Sequence, residues 1–554
     1  MTVPFDRRAF MAGMLATGTA CTTPTPRRAP AKRPNILLIV ADDVGFTDLG
    51  IYGSEIPTPH IDGLARRGAF FTDFHTGMTC SPTRAMLMSG VDHHLSGLGN
   101  MAEELAPSQQ GQPGYEGFLN FAVAALPEIL RQAGYHTMMA GKWHLGLTAE
   151  TNPAARGFDR SFAMLQGGAG HFSNMMPMVG PGRALYTRDG EAIESLPADF
   201  YSTRSYADAL LGYLREDEHK EQPFFAYLAF TAPHWPIQAP RESMDRFRGA
   251  YDDGYDALFE RRLTAGKRAG VIPGDAKGAP RNPYGRPWAG LDAEERQFEI
   301  RRMEAYAAMI ADIDQSVGSM LGHLETTGQL EDTMVIFMSD NGYEGHDLRV
   351  AFQPAAEWAD QCCDNAPANV GAANSYVWMG PDWSRASTPC FRFYKGFPTE
   401  GGTRVPSIVA LPGQQRTGPV HERAHVLDIL PTILEHAGVQ LDPAAFPDRS
   451  LHRPEGTSLI PYLTGGEHRI HEPGEPFAQE LFGKRAIRLG RWKASFMPPP
   501  FGAAEWQLFD LETDLAETRD LAAQHSDILA SLVMRWEQWA RQHNVILPDM
   551  VSGY

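Results

Sequence analysis

No uninterrupted apolar run in the 554 residues reaches the ~18 that a membrane-crossing helix needs, so no transmembrane segment is expected. Cysteine is scarce: five in the whole chain exclude a disulfide-stapled scaffold. Basic charge is also in deficit. Lys and Arg total 49 against 67 Asp and Glu, a formal net charge of −18, and no block of basic residues breaks the acidity. That argues against a protein that coats nucleic acid, because phosphate binding rests on clustered Lys and Arg. Internal repeats are absent, and the only low-complexity stretch is a short Thr/Pro-rich run ending at Pro30. What is present is ordinary globular composition, 43% hydrophobic and 10% aromatic, sufficient for a large buried core.

The first residues are read as a targeting segment. Asp6-Arg7-Arg8-Ala9-Phe10-Met11 precedes a modest apolar stretch that runs to Ala20. Paired arginines before a short, weakly apolar region follow the order of a twin-arginine export signal, and a periplasmic location is expected. Cys21, after Gly18-Thr19-Ala20, is a candidate lipid-attachment site, although Gly18 suits that signal poorly. Residues 1–32 are therefore set apart as export signal and linker.

Beyond them, buried strands alternate with helices. Asn35 to Val40, Phe224 to Phe230 and Met334 to Met338 are continuous apolar runs, as expected of strands covered on both faces, and Tyr135 to Ala140 is a weaker fourth. Helical periodicity lies between them, at Phe121 to Ala133, Tyr206 to Arg215 and Arg302 to Thr326. The alternation predicts an α/β fold with a large mixed, mostly parallel sheet sandwiched by helices. Residues 248–290 and Ala351 to Pro389 lack long apolar runs and read as excursions over the sheet. From about 475 the pattern changes: Ala486 to Leu489, Trp492 to Phe496 and Trp506 to Asp510 look like short strands ahead of a helix from Ile528 to His543. The expected organisation is an α/β domain over 33–470 and a small α+β domain, antiparallel sheet plus helix, over 471–554.

Binding sites in parallel sheets form beyond the carboxyl ends of the strands, and polar clusters stand there. Asp42-Asp43 follows the first strand and Asp340-Asn341 the third. Carboxylates packed together raise one another's pKa unless a cation joins them. Oxygen ligands without Cys or paired His suit Ca²⁺ or Mg²⁺ rather than Zn²⁺. Helix capping would explain one such pair, and less readily two. A second cluster is Cys80-Ser81-Pro82-Thr83-Arg84, followed by Ala85 to Gly90. Pro82 suggests a helix starting close to Cys80, and a helix N-terminus with Arg84 beside it favours a tetrahedral anion. Spacing alone leaves open whether Cys80 is reactive or an inert buried cysteine.

Cys-x-Pro-Thr-Arg with a downstream Ser-Gly resembles the sulfatase signature. Five other segments resemble sulfatases in the same order: PNILLIVADDVGFTDLG (34–50), GKWHLG (141–146), Thr231 to His234, Ser339 to Gly342 and FYKGFPTEGGTRVP (393–406). Gln507 to Leu521 is similar to the family's C-terminal region, so the resemblance runs from about 34 to 545. NSYVWMGPDW (374–383) and His93-His94 bring it nearest to bacterial arylsulfatases within the alkaline phosphatase superfamily. Thr83 stands where Ser is commoner.

The resemblance implies a chemistry. A separate formylglycine-generating enzyme would oxidise Cys80 to formylglycine, and one hydroxyl of its hydrate would attack sulfur. The second hydroxyl would let the sulfated intermediate collapse and release sulfate, with His144 taking the proton or orienting the diol. Asp42, Asp43, Asp340 and Asn341 would bind Ca²⁺, with Mg²⁺ as the second choice. Arg84, Lys142 and Lys395 would spread charge on the sulfate oxygens, making the pocket locally positive, and His234 with Lys395 would serve the leaving oxygen. The expected reaction is hydrolysis of a small-molecule aryl sulfate to a phenol and sulfate. The rivals are a phosphonate or phosphodiester hydrolase of the same superfamily, and a non-catalytic binder of sulfate esters. Cys362, Cys363 and Cys390 are expected to be thiols, since adjacent cysteines rarely bridge; a bridge from Cys390 after export is the alternative.

Overall fold

The run Asn35–Ala41 (β1) is buried along its whole length. Leu37, Ile39 and Ala41 join the core on one face, while Ile36, Leu38 and Val40 join the core on the other. That split of an unbroken apolar strand means both faces of its sheet are covered. The computed structural model describes residues 33–216 and 221–554. The export signal and Cys21 lie outside the described residues.

Nine further strands complete a ten-stranded sheet: β2 (Ala69–Phe71), β3 (His136–Lys142), β4 (Arg160–Met164), β5 (Tyr186–Arg188), β6 (Glu191–Ile193), β7 (Phe224–Ala229), β8 (Thr333–Ser339), β9 (Ser407–Ala410) and β10 (Gly418–Val420). Their order is β10-β2-β9-β8-β1-β7-β3-β4-β5-β6. The central strands β8, β1, β7, β3 and β4 run parallel, and β9 and β5 are antiparallel to them. This is the mixed, mostly parallel sheet expected from the sequence. The register pairs Val40 with Ala229, Ala41 with Ser339 and Gly141 with Ala229, so the carboxyl ends of four strands finish level. Gly141 permits that closeness: a Cβ there would lie 1.7 Å from the Ala229 carbonyl oxygen.

The helices that matter here are α1 (Cys80–Ser89), α2 (Leu126–Gln132), α3 (Ser202–Glu216), α4 (Gly254–Arg268), α5 (Ala293–Thr326), α6 (Gln353–Cys362) and α7 (Pro381–Ser387). Five depart from expectation. α2 starts at Leu126 rather than Phe121, because Pro127 fits only the first turn of a helix. α5 starts at Ala293 rather than Arg302: Asp292 caps it and exchanges hydrogen bonds with Glu295, but its first turns are polar and show no apolar stripe. α4, α6 and α7 are helices inside segments read as excursions. Their buried faces, Tyr255, Leu258 and Phe259 on α4 and Trp383 on α7, are too interrupted to show as runs. No helix of the described residues is long and apolar enough to cross a membrane.

Near the end, β11 (Phe477–Leu481), β12 (Lys484–Leu489), β13 (Trp492–Phe496) and β14 (Trp506–Asp510) form an antiparallel sheet covered by α8 (Ser526–Gln542). Ile487, Ala494, Leu508, Leu532 and Trp536 make its core. β11 is invisible in the sequence because Gln479 and Glu480 interrupt it, yet both are buried. The cysteine expectation needs correction: Cys362 and Cys363 are joined in a disulfide, with Cα atoms 3.7 Å apart. The pair straddles the end of α6, where Cys362 is helical and Cys363 extended, and this break in direction brings adjacent sulfurs together. Cys80 and Cys390 are free thiols.

Candidate functional site

Four strand ends deliver most of the site. Asp42 and Asp43 leave β1, Asp340 and Asn341 leave β8, Lys142 closes β3, and His234 follows the turn after β7. Cys80 is the first residue of α1, with Arg84 one turn on, and Lys395 enters from a loop ahead of β9. Level strand ends therefore gather residues more than 300 positions apart. All ten residues singled out in the sequence are buried, His144 being the most exposed at 6%.

Acids and bases interlock. Lys142 Nζ lies 2.6 Å from Asp42 Oδ2, and Lys395 Nζ lies 2.8 Å from Asp43 Oδ1. Arg84 binds Asp340 through Nε at 3.0 Å and Nη2 at 2.8 Å, and donates to the Lys142 carbonyl and the Tyr227 hydroxyl. Asn341 Nδ2 donates to Asp43 Oδ1 at 2.5 Å. The three cations are thus matched by three aspartates among these residues.

That balance is strained in a particular way. Burial drives Asp43 well above the usual carboxylate range; Lys395 opposes this, but Asp42, Glu344 and Asp340 add to it. Burial and Asp42 likewise raise Asp340. Asp42 is held below the usual range because Lys142 and Arg84 outweigh its burial. Asp42 Oδ1 and Asn341 Oδ1 have no hydrogen-bond partner although both are buried. Crowded carboxylates and unpartnered oxygens in an all-oxygen donor set fit a hard divalent cation. His234 stands at the edge of this set, its Nε2 3.8 Å from Asp43 Oδ2. Its Nδ1 is engaged by the Trp235 carbonyl at 2.7 Å, and burial with Lys395 and Lys142 holds it neutral.

Cys80 sits on the other side. Burial raises its pKa, but Lys142, Lys395 and His144 prevail and bring it down to about 7. His144 is pushed up to about 9, because Glu103 and Cys80 outweigh its burial. Its Nε2 lies 3.1 Å from Glu103 Oε1, while the buried Nδ1 has no partner. Ser81 Oγ, Thr79 Oγ1 and Thr83 Oγ1 are also buried and unpartnered. Asp43 and His144 both adopt left-handed backbone, with φ of 73° and 57°. Non-glycine residues held there are enriched at functional sites.

Sequence reasoning missed the supporting residues. Glu103 orients His144, Tyr227 braces Arg84, and Glu344 lies 3.5 Å from Lys395. Glu344 follows Asp340 by only four positions, and that proximity was the one available signal. Glu103 and Tyr227 carry none, being brought in by the fold. His346 binds Glu344 Oε1 at 2.6 Å and lines a neighbouring cleft of about 630 Å³ with Tyr376, Trp378, Tyr394 and Phe501.

Comparison with known proteins shows the family. The profile of the Sulfatase family matches residues 34–439. An uncharacterized sulfatase of Schizosaccharomyces pombe is 43% identical over 538 residues, covering 94% of this chain and 96% of its own. An arylsulfatase of Klebsiella aerogenes is 37% identical over 415 residues, covering 74% of this chain and 88% of its own. In three dimensions, the crystal structure of Ps i-CgsB in complex with k-i-k-neocarrahexaose aligns with TM-score 0.65 at 24% identity, covering 94% of this chain and 95% of its own.

Proposed function

The chain belongs to the sulfatase family, and from that premise we propose that it hydrolyses aryl sulfate esters to a phenol and inorganic sulfate. The observation that carries this is the convergence of Cys80, Arg84, Lys142, His144, His234 and Lys395 beside the acidic oxygen cluster. Support for an aromatic organic group comes from the cleft walled by Tyr376, Trp378, Tyr394 and Phe501. Similarity to the Klebsiella aerogenes arylsulfatase points the same way.

Formylglycine at position 80 would supply a hydrated aldehyde, one hydroxyl to attack sulfur and one to drive release of sulfate. A divalent cation, Ca²⁺ by donor type, would be held by Asp42, Asp43, Asp340 and Asn341 and would supply Lewis acidity to a sulfate oxygen. The protein's own groups do the rest. Glu103 holds the His144 ring by its Nε2, and once position 80 no longer carries the thiolate charge that helps keep the ring protonated, Nδ1 would orient the hydrate or take its proton. Asp340 and the Lys142 carbonyl pin Arg84 rigidly, so its charge is preorganised for an anion. Lys395, within reach of both Asp43 and Glu344, is placed to share its charge with a leaving oxygen. His234 is held as a neutral imidazole beside it. The paired arginines at Arg7-Arg8 extend the proposal to export, with conversion of position 80 before transport.

Mass spectrometry of the peptide containing residue 80, together with turnover of nitrophenyl sulfate, tests the reading. Formylglycine with turnover is expected. An unconverted thiol in fully active, exported protein would sink it.

A further inference from the structure

Cys80 is buried among covered side chains, and the segment 544–554 ends beside that site, where Tyr554 packs with Met78. This segment is tied down by hydrogen bonds to one stretch of the chain. Asn544 Nδ2 donates to the Pro113 carbonyl at 2.8 Å, and the Ile546 amide to Tyr115 Oη at 2.7 Å. The Asp549 amide donates to Ser108 Oγ at 3.2 Å, and Ser552 Oγ to Glu104 Oε2 at 3.0 Å. Glu104 follows Glu103, the residue that holds His144. At Gly553 a Cβ would lie 1.9 Å from the Ala351 carbonyl oxygen, so only glycine lets the strap pass.

The strap delivers Tyr554 into the protein, where it is only 4% exposed. Its ring lies 4.9 Å from that of His346 and stacks on Phe482 at 5.6 Å. Met78 and Met101 pack in the same cluster. Met78 precedes Cys80 by two residues, and Met101 precedes Glu103 by two. The Tyr554 hydroxyl is close enough to Glu344, Lys395, Cys80 and Glu104 to feel the charge of each. Gly553 and His346 also line the aromatic cleft, which places this strap between the cleft and the buried site.

We propose that Tyr554 is a specificity-determining residue: with His346 it forms the partition between the aromatic cleft and position 80, and so sets which organic groups reach the nucleophile. The nature of those groups rests on the aryl sulfate reading; the shielding does not. Sequence patterns hide this role, because Tyr554 belongs to no motif and nothing in the linear chain relates it to Cys80.

Full-length protein produced with Cys80 left as the thiol allows a test that needs no ester hydrolysis. Alkylation by iodoacetamide and by the bulkier N-phenylmaleimide is followed by peptide mass spectrometry, with buried Cys390 as internal control. Tyr554→Ala should raise the rate at Cys80 by roughly tenfold, more for the larger reagent, while Cys390 is unchanged. Tyr554→Phe, which keeps the ring, should stay near wild type. If Cys390 also becomes reactive in the alanine variant, Tyr554→Leu keeps an apolar filler and should still raise Cys80 alone. A Cys80 rate within about twofold of wild type in the folded variant overturns the proposal. In converted enzyme, Tyr554→Ala should shift the ratio of kcat/KM between nitrophenyl and methylumbelliferyl sulfates by roughly tenfold, and an unchanged ratio overturns the specificity assignment. Absence of any aryl sulfate turnover by wild type would instead remove the functional reading and leave the labelling result standing.

Discussion

Lys142 Nζ lies 2.6 Å from Asp42 Oδ2, and neither side chain reaches solvent. Removing the cation leaves a carboxylate buried without its main partner, at a cost of about 3–5 kcal/mol. Lys142→Met should therefore lower stability by that order and abolish turnover. Adding Asp42→Asn should recover much of the stability, since an amide carries no charge to strand, but none of the activity. Denaturant melts and nitrophenyl sulfate assays on the single and double variants check this. A single variant as stable as wild type would refute the pairing.

Asp340 accepts a hydrogen bond from Arg84 Nε, pairs with its Nη2 at 2.8 Å and belongs to the oxygen cluster. Asp340→Asn keeps its shape and loses its charge. Calcium content per chain and activity should fall together. Activity lost with calcium content unchanged would take Asp340 out of the ligand set.

Cys80 is approached by His144, Lys142 and Lys395. Cys80→Ala should eliminate turnover with an unchanged melting temperature. Cys80→Ser should accept sulfate once and keep it, because a plain hydroxyl has no partner to expel the group. Intact mass after incubation with nitrophenyl sulfate detects the retained ester, and multiple turnovers by either variant would contradict the assignment.

His94 holds a different junction, between Asp92 at 2.8 Å and Glu480 of β11 at 3.1 Å. Burial opposes its charge, but these carboxylates prevail and lift its pKa to about 9. A histidine raised above its unfolded value of about 6.5 stabilises fully below that pH and loses the contribution as pH rises through 9. Folding stability should fall between pH 7 and 9.5 by about 2 kcal/mol from this group. His94→Gln should flatten that part of the slope, with His144 supplying a further share in the unconverted chain. A variant with the wild-type pH profile would show that His94 is not the titrating group.

The superfamily rival is decided by rates. Nitrophenyl sulfate should be turned over with higher kcat/KM than nitrophenyl phenylphosphonate. The reverse order would assign the protein to phosphonate hydrolysis.

Much of the fold was legible because buried parallel strands announce themselves. β1, β7 and β8 are apolar at nearly every position, and each ends in the polar cluster that serves the site. β11 and the first turns of α5 were not, because buried Glu480 and the polar start at Ala293 take their stability from partners distant in sequence. The vicinal Cys362–Cys363 bridge was missed for a related reason: it depends on where α6 stops.

By itself, the sequence determined which runs would be buried, and which acids, lysines and histidines would follow them. These are local properties, carried by apolar periodicity and by motifs of a few residues. Only the tertiary structure decided that Lys395 pairs with Asp43, that Glu103 binds His144 and that Tyr554 packs with Met78, two residues before the nucleophile. Such contacts arise when level strand ends and a late strap bring side chains hundreds of positions apart into one dry space, where each charge must find a partner.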